Sequence, residues 1–201
     1  MLCLTERTSP GWVEIALADL DAVLVDHAHC EIKAAQNALS LAVRAQDAAM
    51  AQALADLAEE EVRHFRQVLD VLTARGLSLG VPPADAYAAE LRQAAHKTRP
   101  NGRTADDTLL DRLLVAALIE ARSCERFRLL ADRLAERGDA ELAAFYEELF
   151  AAEARHYRVL FDLAARSAGG DDRRVRGRLA ELANEEAAIC RKLGESATVH
   201  G

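Results

Sequence analysis

Two Glu-x-x-His sequences occur in the chain, Glu61-Val62-Arg63-His64 and Glu153-Ala154-Arg155-His156. On a helix, positions i and i+3 share a face, so in each sequence a carboxylate oxygen and an imidazole nitrogen can converge on one metal ion. The surroundings repeat as well. EVRHFR and EARHYR agree at four of six positions, with Phe65 and Tyr157 a similar pair, which reads as an internal duplication of a helical hairpin.

Such pairs carry chemistry only if they face inward, and the apolar pattern predicts that they do. Leu54, Leu57, Glu61, His64, Val68 and Leu72 form one helical stripe, and Leu142, Tyr146, Leu149, Glu153, His156, Leu160 and Leu163 form another. Charge sits where packing favours leucine. A buried carboxylate without a partner costs several kcal/mol, so a metal or a paired cation is required.

Two further stripes each contain one glutamate: Leu20, Leu24, His27, Glu31, Ala34, Ala38, and Leu113, Ala117, Glu120, Cys124, Phe127, Ala131, Leu134. Glu125 competes with Glu120 but falls on a neighbouring stripe beside Leu118 and Arg128. Antiparallel partners at equal height are equidistant from their turn. The residue midway between Glu31 and the 61/64 pair is Gln46 or Asp47, and the one midway between Glu120 and the 153/156 pair is Arg137 or Gly138; both fall at expected turns. Glu125 would move the second midpoint inside a helix.

Four glutamates and two histidines, Glu31, Glu61, His64, Glu120, Glu153 and His156, form the ligand pattern of ferritin-like di-iron or di-manganese carboxylate bundles. Carboxylate-rich donor sets suit iron or manganese better than zinc. His27 and Cys124 lie one turn from Glu31 and Glu120; they either orient those ligands or pack the core. Asp162 and Arg66 either orient the histidines or are solvated.

The elements that must hold these residues follow from the breaks in periodicity. A first helix is expected from Ser9-Pro10-Gly11 to about Arg44, with Ser9 as its cap and a turn at Gln46 to Ala48. A second runs to Arg75 and stops at Gly76. Leu77 to Ala84 is a connector, and a shorter helix from Asp85 to Lys97 ends at the breaker Arg99-Pro100-Asn101-Gly102. Together they resemble the long crossover of a ferritin-like bundle. The third core helix begins near Asp106 and ends at Arg137-Gly138. Asp139 caps a fourth to about Ser167, and Asp171 or Asp172 caps a fifth.

At 201 residues, with 10 glycines, 4 prolines and an alanine- and leucine-rich 51% hydrophobic content, the chain is expected to be all-α and to form a single ferritin-like domain over 1–201. No window approaches the roughly 20 apolar residues of a membrane span, and Met1 to Gly11 lacks a signal-peptide core, so a cytoplasmic protein is expected. Cys3, Cys30, Cys124 and Cys190 have no CxxC spacing, which fits reduced thiols.

DHAHCEIKAAQNALSL (26–41), LAEEEVRHFRQVL (57–69), IEARSCERF (119–127) and EARHY (153–157) resemble the bacterial tRNA 2-methylthio-isopentenyladenosine hydroxylases over about residues 10–190. The resemblance implies that the six residues above are iron ligands of a monooxygenase. It also implies hydroxylation of the isopentenyl side chain of a modified adenosine next to the anticodon, with two Fe ions, O2 and an external electron donor. No dinucleotide fingerprint is present, so a separate reductase is expected. A monomer or small oligomer is expected.

The formal charge of −8 runs against a tRNA substrate. The local candidates for phosphate contact are a crossover run, Arg92, His96, Lys97, Arg99 and Arg103, and a second run, Arg173, Arg174, Arg176 and Arg178; each is either a phosphate contact or a solvated face. Tyr87 and Trp12 are expected in the core rather than at a base. The acidic charge motivates an alternative, a ferritin-like protein that binds or oxidises iron without acting on RNA.

Overall fold

The computed structural model describes residues 2–82, 84–98 and 104–200, and all the regular elements among them are helices. They are α1 (Trp12–Ala18), α2 (Leu20–Ala42), α3 (Ala48–Ala74), α4 (Ala86–Lys97), α5 (Ala105–Glu136), α6 (Ala140–Ser167) and α7 (Asp172–Leu193). α2 pairs with α3 and α5 with α6 as antiparallel hairpins. Contacts of α2 with α5 and of α3 with α6 close the four-helix bundle. α4, from the crossover, packs with α7, and both lie against α5.

The helix ends have identifiable causes. Asp47, Asp85, Asp139 and Asp171 each accept a backbone amide at the start of α3, α4, α6 and α7, satisfying donors that the first turn leaves unpaired. Thr104 and Asp107 form a reciprocal capping box on α5. After α5, Gly138 has φ 84°, which lets Asp139 N–H bond back to Leu134 O at 3.0 Å.

One expected helix is two. Asp19 leaves the helical region (φ −135°, ψ 60°) and its side chain accepts from Ala22 N, so α1 stops and α2 restarts. Ser9 is not the cap: Gly11 occupies that position without a side-chain bond, and α1 begins at Trp12. An aspartate that caps in mid-pattern leaves no glycine or proline to mark the break. The breaker 99–102 and Arg103 lie outside the described residues.

The inward positions are closed to solvent except Leu20 and Ala34, which are half-buried. Two apolar clusters fill the bundle, one containing Leu41, Leu54, Leu110, Leu114 and Leu160 and the other Leu24, Leu72, Phe127, Leu130 and Tyr146. Each fully buried leucine contributes roughly 1.5–3 kcal/mol. Between the clusters, along all four core helices, lies a layer of buried glutamate and histidine.

Candidate metal centre

Glu61 and His64 on α3 and Glu153 and His156 on α6 are all buried, and each offers one ligand atom within 4.8 Å of the others. Across the bundle, Glu31 Oε2 on α2 lies 3.6 Å from His64 Nδ1. Glu120 on α5, 6% exposed, lies beside Glu153. The six stripe residues thus meet in one layer. Glu125 does not join them: its carboxylate accepts from Thr8 N, Thr8 Oγ1 and Arg122 Nη1 at 2.9, 2.7 and 2.6 Å on the far side of α5.

Four atoms in this layer are buried without a hydrogen-bond partner: Glu61 Oε1, His64 Nδ1, Glu153 Oε1 and His156 Nδ1, one from each residue of the facing pairs. His156 Nδ1 and Glu61 Oε1 are 2.9 Å apart, yet their orientation is not that of a hydrogen bond. Buried polar atoms without partners are rare, and lone pairs converging from two carboxylates and two imidazoles suit divalent iron or manganese. The donor set fits a two-metal carboxylate centre.

Electrostatics point the same way. Burial opposes charge on His64, but the Glu31 and Glu61 carboxylates outweigh it and raise its pKa to about 9. His156 is likewise raised to about 9, by Glu61 and Glu120 against the effect of burial. Burial and mutual repulsion hold Glu120 and Glu153 well above the usual carboxylate range, and burial also raises Glu61. Glu31 is also buried, but the hydrogen bond from His27 and the nearby His64 imidazole keep its pKa below that range. Without a cation, protons therefore balance part of the charge in this layer.

The ring orientations are set from outside the layer. His27 Nε2 donates to Glu31 Oε1 at 2.6 Å, with its ring stacked on Tyr146 at 5.5 Å. Glu60 Oε2 accepts from His156 Nε2 at 2.8 Å. Of the two open sequence alternatives, His27 fixes the Glu31 carboxylate, whereas Cys124 reaches only Phe150 O at 3.7 Å and packs the core. Asp162 and Arg66 do not orient the histidines: Asp162 pairs with Arg158 at 2.9 Å, and Arg66 is exposed.

A cavity of about 530 Å³ opens from this layer between α2, α4 and α5. Glu31, Glu61, Glu120 and Glu153 line its inner end, Ala34, Ala95, Val115, Ala116 and Ile119 its middle, and Gln36, Arg92 and Arg112 its mouth.

A family model described as tRNA-(MS[2]IO[6]A)-hydroxylase (MiaE) matches residues 1–201. The chain belongs to this family. It is 41% identical over 158 residues, 78% of this chain and 72% of the relative, to a tRNA 2-(methylsulfanyl)-N(6)-isopentenyladenosine(37) hydroxylase of Pseudomonas putida. A protein of the same description from Salmonella typhimurium is 39% identical over 115 residues, 57% of this chain and 39% of that protein. A solved structure described as Protein 43 with aldehyde deformylating oxygenase activity, from Synechococcus, superposes with a TM-score of 0.85 at 36% identity, covering 100% of this chain and 96% of that one.

In this MiaE-family chain two features of the site left little trace in the sequence. Glu60 stands in a run of three glutamates, Glu59 to Glu61, and nothing in the run distinguishes it until α6 brings His156 alongside. His200, beyond α7, lines the cavity: its Nε2 lies 2.8 Å from Ser123 Oγ and its Nδ1 3.5 Å from Cys30 Sγ, with the ring stacked on Tyr87. Burial lowers its pKa to about 4. Tyr87 and Trp12 are core residues, as the sequence suggests.

The second arginine run is largely occupied. Arg178 is buried in a bidentate pair with Asp111, Arg174 pairs with Asp107, and Arg176 lies near Asp172. In the crossover run Arg92 and Lys97 are exposed, while Arg99 and Arg103 lie outside the described residues. No helix among the described residues is long and apolar enough to cross a membrane.

Proposed function

We propose that this chain is a di-iron, O2-dependent tRNA hydroxylase acting on the isopentenyl side chain of 2-methylthio-isopentenyladenosine next to the anticodon, with Glu31, Glu61, His64, Glu120, Glu153 and His156 as its iron ligands. The observation that carries this reading is the cavity whose apolar middle leads to the four glutamates, in a chain that matches the family along its whole length.

When bound, a pair of reduced irons supplies the electrons and the oxidising power that side chains lack. The chain's own residues do the rest. Glu60 and His27 hold His156 and Glu31 in orientation, the alanine and branched side chains of the cavity take an apolar substituent and exclude water, and the glutamates keep the reacting end anchored to α2, α3, α5 and α6. Electrons come from a separate reductase in this reading, and the protein works in the cytoplasm as a single-domain monomer or small oligomer.

The test is mass spectrometry of nucleosides from hypomodified tRNA incubated with iron-loaded protein, O2 and a reductant. A hydroxylated nucleoside should appear, and Glu61→Ala or Glu153→Ala should abolish it. Identical nucleoside profiles with and without the protein would sink the proposal. An aldehyde oxygenase is the second reading, favoured by the Synechococcus neighbour; it predicts deformylation of an aldehyde and no change in tRNA. An iron-oxidising protein indifferent to RNA is not favoured by the family match.

A further inference from the structure

Arg92 and Arg112 line the mouth of the cavity, Arg44 stands beside Arg112, and none of the three has an acidic partner among the described residues. Arg44 Nη1 and Arg112 Nη2 both donate to Ser40 Oγ, at 3.1 and 3.0 Å, so two guanidinium groups are gathered on a single hydroxyl. Arg92, exposed on α4, lines the same cavity as Arg112. Burial together with the charges of Arg44 and Arg92 depresses the Arg112 pKa, as expected when like charges face one another.

Other charges lining this cavity are answered: Lys33 pairs with Asp85 at 3.4 Å and Asp111 with Arg178 at 2.8 Å. Among the described residues none of the three arginines is in an ion pair. A like-charged cluster with hydrogen-bond donors to spare, opening on a cavity, is complementary to an anion, and the guanidinium fork matches phosphate oxygens.

The position of the cluster narrows the anion. Arg112 precedes Glu120 by eight residues on α5, roughly 12 Å of helix. Ser40 follows Glu31 by nine residues on α2, roughly 14 Å. These antiparallel helices agree, so the arginines lie one level from the glutamates, across the apolar stretch of Ala34, Val115, Ala116 and Ile119. That span is comparable to a nucleotide measured from its phosphate to the end of a substituent on its base.

We propose that Arg44, Arg92 and Arg112 form a phosphate site at the cavity mouth that holds an RNA phosphodiester flanking the modified adenosine. This rests on the tRNA reading above and adds to it where the backbone is gripped. Arg92 belongs to the crossover run; Arg44 and Arg112 come from two other helices, and α4 only completes the group.

The experiment measures binding of an anticodon stem-loop to the full chain by fluorescence anisotropy across a salt series. Arg44→Met/Arg92→Met/Arg112→Met should weaken Kd about tenfold and flatten the slope of log Kd against log salt by about 0.7, the value for one single-strand phosphate contact. A methylphosphonate beside the adenosine should weaken wild-type binding similarly and add nothing in the variant. The exposed pair Arg44→Met/Arg92→Met, which leaves the half-buried Arg112 in place, should lose affinity in the same direction, with iron content unchanged in both variants. Wild-type affinity and salt slope in the variants would overturn the site while leaving the tRNA reading intact. So would slower reductase-driven turnover with unchanged RNA affinity, which would make the cluster a landing point for an acidic protein. Failure of the wild-type chain itself to bind RNA would remove both, and is read from the wild-type curve alone.

Discussion

Glu60 Oε2 lies 2.8 Å from His156 Nε2, and this contact turns His156 Nδ1 toward Glu61 and Glu153. The hydrogen bond to His156 also lowers the Glu60 pKa, so the partner is a carboxylate at neutral pH. An imidazole whose outer nitrogen donates to a carboxylate presents a more basic inner nitrogen to a metal. Glu60→Ala should weaken metal binding by roughly 10–100-fold, and Glu60→Gln, whose amide oxygen still accepts, by less. Co(II) titration followed by absorbance reads the difference; equal affinities for wild type and Glu60→Ala would remove Glu60 from this role.

His27 stands to Glu31 as Glu60 stands to His156. At 2.6 Å its Nε2–H holds one carboxylate oxygen of Glu31 while the other lies 3.6 Å from His64. His27→Ala should free Glu31 to rotate and leave a cavity beside Tyr146 and Phe127. One of the two metals should bind about tenfold more weakly, with His27→Asn or His27→Gln recovering part of the loss. Metal stoichiometry of the purified variants decides it.

Glu120 and Glu125 are separated by little in sequence and by function in space. Glu120→Ala should lower bound metal while keeping the fold, because it removes a carboxyl whose charge burial already disfavours. Glu125→Ala should keep metal but cost on the order of 1–3 kcal/mol, since Thr8 and Arg122 lose their acceptor. Iron content and urea denaturation, measured on both variants, should therefore move in opposite columns. Loss of metal in Glu125→Ala alone would reverse the assignment.

His200 provides a pH test away from the glutamate layer. Its folded pKa of about 4 lies below the ordinary histidine value, so between pH 6.5 and 4 the unfolded chain binds the extra proton. Stability should be unaffected above that window, fall as pH drops through it, and level off below pH 4. The total is on the order of 3 kcal/mol by linkage. His200→Phe, which keeps the stack on Tyr87, should lose this component of the pH dependence. Parallel stability curves for the two proteins would show that His200 carries none of it.

Helical periodicity is local, and the sequence by itself was therefore enough to place Glu31, Glu61, His64, Glu120, Glu153 and His156 inward and at one height. The 3.6-residue repeat sets the face, and the turns at Asp47 and Gly138 set the register. Every one of these positions is buried. The caps at Asp139 and Asp171 and the stop at Gly138 were equally legible, because these residues act on residues a few positions away.

What only the tertiary structure decided involves contacts between residues far apart in the chain. Glu60 and His156 are 96 residues apart and His200 and Cys30 are 170 apart. Arg112 and Ser40, 72 apart, meet only because α5 lies antiparallel to α2. An exposed-looking glutamate, a histidine beyond the last helix and an arginine in mid-helix carry no periodic signature of such roles. The break at Asp19 was hidden for a related reason: a side chain there took over a helix-start amide, and nothing in the apolar repeat around it changed.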